Sequence, residues 1–92
     1  MIKNKELLLI TTKGCIACDK QKQIVDKVCH KYNIKYKIKD VSECSKEFLQ
    51  QNEVTDFPTT LLFSNGTLVS NIIGTCTENK IWNTLYGYQY IR

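Results

Sequence analysis

Residues 11–19 read Thr-Thr-Lys-Gly-Cys-Ile-Ala-Cys-Asp. Cys15 and Cys18 stand two residues apart in this stretch, and the reading of the pair decides the fold. A short apolar run, Leu7 to Ile10, precedes it, and a lysine-rich segment of helix length follows. A strand that delivers a Cys-x-x-Cys pair to the start of a helix is the usual construction of a dithiol redox centre.

Working outward, Glu6 to Thr12 reads as a strand, and its four consecutive apolar residues suit a position covered on both faces. Lys13-Gly14 turns the chain. A helix is expected from Cys15 to Tyr32, with Cys18, Val25, Val28 and Tyr32 at helical spacing and lysines over the remaining surface. Asn33 breaks this pattern. Ile34 to Asp40 then alternates Ile34, Tyr36 and Ile38 with Lys35, Lys37 and Lys39, as a half-buried edge strand does. Strand, helix and strand make a right-handed βαβ unit with parallel strands.

Ser42 or Ser45 caps a short second helix that runs to Asn52. Residues 53–58 form a loop ending in Pro58, the only proline of the chain. Thr59–Phe63 and Thr67–Ile73 are strands joined by a tight turn at Asn65-Gly66, a pair suited to positive φ. Gly74 ends the second of them. Thr77 caps a last helix carrying Ile81, Trp82, Leu85 and Tyr86, which Gly87 ends. The aromatic tail is expected to pack back on the sheet. The fold class is therefore α/β: a four-stranded mixed sheet in β-α-β-α-β-β-α order, with helices on both faces.

Ninety-two residues make one domain, residues 1–92. The net charge of +4 is spread over scattered lysines. That distribution describes a solvated surface and argues against a nucleic-acid partner. A four-residue apolar run is too short for a secretory core or a bilayer span. A cytoplasmic, monomeric protein without a membrane partner is expected. Five cysteines at irregular spacing do not suit a closed extracellular disulfide framework.

The attacking species in disulfide chemistry is a thiolate, so the site must stabilise negative charge. A helix N-terminus supplies unpaired N–H groups and partial positive charge. Cys15 sits at that terminus and is assigned as the nucleophile. Cys18, nearly one turn on, is the resolving thiol that closes a disulfide with it. Lys13 adds positive potential, whereas Asp19 opposes thiolate formation if it faces Cys18. Ile16-Ala17 contains no histidine, which favours a reductant. A zinc site would need about four ligands; there is no second Cys-x-x-Cys, and His30 lies at the far end of the helix. No metal is expected.

Three features together resemble the thioredoxin superfamily over residues 7–86. They are the Cys15–Cys18 motif after a strand, the segment Phe57-Pro58-Thr59, and the block from Pro58 to Gly74 with its Asn-Gly turn. The resemblance implies a thioredoxin-like fold and a thiol–disulfide oxidoreductase, a protein disulfide reductase. It makes Pro58 a cis-proline packed beside the dithiol, with the Phe57 backbone and Gly74 offering a surface to substrate. It implies no bound cofactor beyond a redox-active Cys15–Cys18 disulfide. Its partners would be disulfide-containing proteins and an NADPH-linked thioredoxin reductase or, alternatively, glutathione.

The chain departs from thioredoxins in several places. Gly14 replaces a tryptophan, Ile16-Ala17 replaces Gly-Pro, and the strand before the motif carries no buried acid. The chain begins just before its first central strand, as a glutaredoxin does. Residues 73–78, Ile-Gly-Thr-Cys-Thr-Glu, are similar to the glutaredoxin segment Gly-Gly-Cys-Ser-Asp that holds glutathione, although the second glycine is missing. A glutathione-dependent reductase and a non-catalytic binding module are therefore alternative readings. Cys29 is expected in the core, Cys44 near the second helix in a structural or surface role, and Cys76 near the active face as a structural or third redox thiol. Trp82 is expected in the core.

Overall fold

The computed structural model describes residues 4–91. Its elements are β1 (Lys5–Thr11), α1 (Ile16–Lys31), β2 (Tyr36–Asp40), α2 (Lys46–Gln51), β3 (Thr59–Ser64), β4 (Thr67–Ile73) and α3 (Glu78–Gly87), with a single 3-10 turn at Val41–Glu43. The sheet order is β2-β1-β3-β4. β1 pairs parallel with β2 and antiparallel with β3, which makes β1 a central strand. Leu7, Leu9 and Ile10 are fully buried and Leu8 nearly so. Such a continuous apolar run is required of a strand covered on both faces.

Alternate residues of β1 feed two cores. Leu7 and Leu9 pack with Leu62, with Val25, Val28 and Cys29 of α1, and with Ile81 and Leu85 of α3. Leu8 and Ile10 pack with Leu61, Phe48, Leu49 and Phe57 on the α2 side. Helices therefore cover both faces. Truncating a fully buried leucine such as Leu9 to alanine would cost about 2–5 kcal/mol, the range for cavities that cannot collapse.

The hairpin turn is as the sequence requires, with Asn65 at φ 53° and Gly66 at φ 80°. Strict alternation does not continue through it. Phe63 pairs with Leu68 but Leu62 pairs with Ser70, leaving a bulge at Val69. A bulge inserts one residue and exchanges the faces of everything beyond it. Val69 and Ile72 both reach the α1/α3 core as a result. Asn71 instead faces α2, where its side-chain amide donates to the carbonyls of Asn52 and Glu53.

The three helices end alike, and glycine plays no part. Asn33, Glu53 and Gln89 take left-handed φ of 55°, 54° and 65°. The next residue then donates its N–H to the carbonyl five positions back: Ile34 to Cys29, Val54 to Leu49 and Tyr90 to Leu85. This closure places an apolar residue just beyond each helix. Gly87 is the last residue of α3, as expected, and the left-handed turn follows at Gln89. The tail is docked: Ile91 lies in the core, the Tyr90 hydroxyl donates to the Phe63 carbonyl, and Lys5 Nζ donates to the carbonyls of Tyr88 and Gln89.

Candidate active site

β1 ends at Thr11, and Gly14 at φ 69° turns the chain into α1. Cys15 is the N-cap: its backbone is extended, and its Sγ accepts a hydrogen bond from the Cys18 N–H at 3.0 Å. Serine, threonine, aspartate and asparagine are the usual side chains for that task. A sulfur there occupies the position where a helix N-terminus best holds an anion. Cys15 and Cys18 are joined as a disulfide with their Cα atoms 5.1 Å apart. The two sulfurs differ in access. Cys18 is 2% exposed, whereas Cys15 is partly open to solvent and is followed by Ile16 at 75% exposure.

The loop before β3 carries the proline segment singled out in the sequence. The Phe57–Pro58 peptide is cis, and Pro58 is fully buried. The Gly74 N–H donates to the Pro58 carbonyl at 2.7 Å, which ties the end of β4 to the proline. Gly74 holds φ at 85°, and a Cβ there would meet no atom within 4 Å. The glycine therefore serves the backbone angle; crowding is not the reason for it. The Phe57 N–H donates to Asp56 Oδ1 at 2.9 Å, because an aspartate side chain readily closes onto the backbone beside it.

The order, pairing and layering of these elements are those of solved thioredoxins. Mitochondrial thioredoxin 3 of Saccharomyces cerevisiae, in its oxidised form, superposes with a TM-score of 0.78 at 24% identity, over 91% of this chain and 78% of that one. Thioredoxin f2 of Chlamydomonas reinhardtii gives 0.78 at 19%, over 98% and 83%. Thioredoxin-2 of the malaria parasite gives 0.75 at 20%, over 95% and 85%. The chain has the thioredoxin fold. No family model and no curated protein sequence matches it.

Within this thioredoxin fold the remaining cysteines separate clearly. Cys29 is buried, and its thiol is pushed up to about 12, by burial first and then by the charge of Asp26. Burial also raises the Cys44 thiol, which packs on the α2 core. Cys76 follows Gly74 in the loop before α3. Its thiol is raised by burial, against the opposing pull of a hydrogen bond from Gln21 and the charge of Lys80.

Gln21 went unnoticed in the sequence. It is 1% exposed. Its Oε1 accepts the Cys76 N–H at 3.1 Å, and its Nε2 donates to Cys76 Sγ at 3.3 Å. This two-point clamp fixes the loop after β4 against the first turns of α1. Its signal was present: Cys18, Gln21, Val25 and Val28 form the buried stripe of α1, and a polar residue in such a stripe must find partners. Among the described residues no carboxylate side chain is buried; the buried polar ones are Thr11, Gln21, Asn52, Thr59 and Thr60.

Lys13 is exposed at the turn before Cys15. Its charge, with that of Lys22, reaches Asp40, whose carboxyl is held below its usual range chiefly by hydrogen bonds from Ser42. Among the described residues, no group of three or more His, Cys, Asp or Glu side chains is placed to hold a metal ion. No helix among them is long and apolar enough to cross a membrane.

Proposed function

We propose that this protein is a thiol–disulfide oxidoreductase acting as a protein disulfide reductase. The observation that carries the reading is the asymmetry of the Cys15–Cys18 pair. The accessible sulfur sits on the N-cap of a sixteen-residue helix and receives an N–H, and its partner is buried one turn inward.

In the reduced protein, the Cys15 thiolate attacks one sulfur of a substrate disulfide. The substrate S–S bond breaks, a mixed disulfide forms, and the first substrate sulfur leaves as a thiolate that takes up a proton. Cys18 then loses its proton and attacks Cys15 Sγ, releasing the second substrate sulfur. Two electrons pass from the protein dithiol to the substrate, and the Cys15–Cys18 disulfide remains. An external dithiol, supplied by an NADPH-linked thioredoxin reductase, returns the pair to its reduced form. Glutathione is the alternative donor.

Helix geometry favours Cys15 as the attacking group. The N–H that it meets at 3.0 Å forms a charge-assisted bond once the sulfur is a thiolate. Phe57, Pro58 and Gly74 present the substrate surface. An incoming strand that uses the Phe57 N–H displaces Asp56 from it. The scattered surface lysines and the absence of an extracellular cysteine pattern support a cytoplasmic, monomeric protein.

The test is trapping. A Cys18→Ser variant accumulates mixed disulfides through Cys15, and a Cys15→Ser variant accumulates none. Failure to trap any species with a range of disulfide substrates would sink the reading. Turnover of a disulfide substrate, coupled in parallel to thioredoxin reductase and to glutathione with its reductase, identifies the donor.

A further inference from the structure

A groove of about 570 Å³ opens beside the dithiol, lined by Ile16, Ala17, Lys20, Gln21 and Ile24 of α1 and by residues 75–77 of the loop before α3. Its floor on the α1 side is apolar. Among the described residues, Lys20 is the only charged side chain in the lining. Beyond it, Lys80 stands in the first turn of α3, where its backbone N–H donates to Oγ1 of the groove residue Thr77 at 3.1 Å. Glu78, the acid of the same helix end, is turned to an ion pair with Lys27 at 3.0 Å. The groove is thus apolar next to the reactive sulfur and positively charged further along.

We infer that this groove selects disulfide substrates carrying an acidic residue about two positions from the reacting cysteine, with Lys20 and Lys80 as the residues that recognise it. The inference rests on the oxidoreductase reading above and names the substrate class of that site. Its length scale comes from backbone geometry. Lys20 stands one turn on from Ile16, the neighbour of Cys15, and both line this groove, about 6 Å apart along the axis at the helical rise of ~1.5 Å. An extended substrate covers the same distance in about two residues at ~3.3 Å each. Residues two apart also point to the same side of an extended chain. An acid there faces Lys20 while the substrate cysteine faces Cys15.

The experiment uses the reduced full chain and homodimeric peptide disulfides. Each peptide has one cysteine, with Glu, Ala or Lys placed two residues to either side of it. Loss of reduced protein is followed after acid quenching, in single turnovers that need no added electron donor. At low ionic strength the Glu peptide reacts about tenfold faster than the Lys peptide, each charge contact contributing about threefold, as exposed ion pairs do. The ratio falls towards one at about 0.5 M salt.

Lys20→Glu combined with Lys80→Glu inverts the ratio. A ratio within one variant is insensitive to any change in Cys15 reactivity, because both peptides meet the same thiolate. Reversing a lysine on the opposite face of the sheet, Lys46→Glu, leaves the preference in place. Equal rates for all three peptides, or a loss of preference in Lys46→Glu as large as in Lys20→Glu, overturn the inference and leave the oxidoreductase reading intact. Failure of every peptide to react overturns both.

Discussion

Gln21→Leu tests whether the clamp between α1 and the loop before α3 is a structural requirement. Leucine has a similar reach and helix propensity, so the substitution removes the polar ends and little else. The Cys76 N–H loses the acceptor it has at 3.1 Å, and Cys76 Sγ loses a donor at 3.3 Å. Leaving an inward-facing N–H unpaired costs about 1–3 kcal/mol. The bond to sulfur is weaker, and burying leucine in place of an amide returns part of the loss. The net expectation is destabilisation by about 1.5 kcal/mol, or about 6–12 °C in Tm at the ~4–8 °C per kcal/mol typical of a domain this small. Urea unfolding of the oxidised protein measures it, with the midpoint lowered and the slope unchanged. Cys76→Ala keeps the N–H bond and should cost less than Gln21→Leu. In the double variant the two losses should not add, since both act on one contact. A cost for Gln21→Leu below about 0.5 kcal/mol, or strict additivity with Cys76→Ala, would falsify the clamp.

Three further predictions concern buried titrating groups, thiol access and backbone strain. Cys29, Tyr36 and Tyr90 are each pushed up to about 12: Cys29 and Tyr90 chiefly by burial, Tyr36 chiefly by its hydrogen bond to Asp26. The folded chain therefore keeps protons that the unfolded chain sheds. Stability should be fully present below the ordinary thiol and phenol range and should fall as the pH rises towards 12. Urea melts across alkaline pH measure this slope, and Tyr36→Phe should make it shallower. In the reduced protein at neutral pH, iodoacetamide should label Cys15 first and Cys29 last, as mass spectrometry of quenched samples would read; early labelling of Cys29 would contradict its burial. Glu53→Gly and Gln89→Gly should each stabilise by about 1 kcal/mol in thermal melts, because both positions hold left-handed φ that a side chain resists.

The frame around the site was legible because it depends on local rules. Leu7–Ile10 announced a doubly covered strand, and Asn65-Gly66 announced the turn. The lysine alternation of residues 35–39 announced an edge strand, and β2 lies at the edge of the sheet. What escaped depends on tertiary partners. The bulge at Val69 exists so that both Val69 and Ile72 reach one core while Asn71 closes α2. Nothing in the local pattern Leu-Val-Ser-Asn-Ile-Ile states that preference. None of the three helix ends turns on a glycine, so a glycine-based rule missed Glu53 and Gln89; the apolar residues Val54 and Tyr90 just beyond were the better guide. The Asp56 bond to the Phe57 N–H depends on a side-chain rotamer and was not legible at all.

The neutral interior of the site sets the order of difficulty in the proposed cycle. Cys15 has two sources of charge stabilisation that require no neighbouring acid or base: the first-turn N–H groups and its partial contact with water. Cys18 has neither in the same degree. It is 2% exposed, and the polar side chain next along its stripe of α1 is the amide of Gln21, whose oxygen is already engaged by the Cys76 N–H. Among the described residues, no buried carboxylate side chain is there to take its proton. In the proposed cycle the first transfer, through Cys15, is therefore the favoured step, and release of the substrate by Cys18 is the slower one. A slow second step prolongs the mixed disulfide, during which the substrate remains covalently held along the groove beside Lys20. Contacts made there then act on a long-lived species, so the residues flanking the substrate cysteine have time to influence whether it proceeds or returns. The departure from a buried acid and the positively charged groove are in this sense parts of one arrangement, in which discrimination rests on how long a substrate is held.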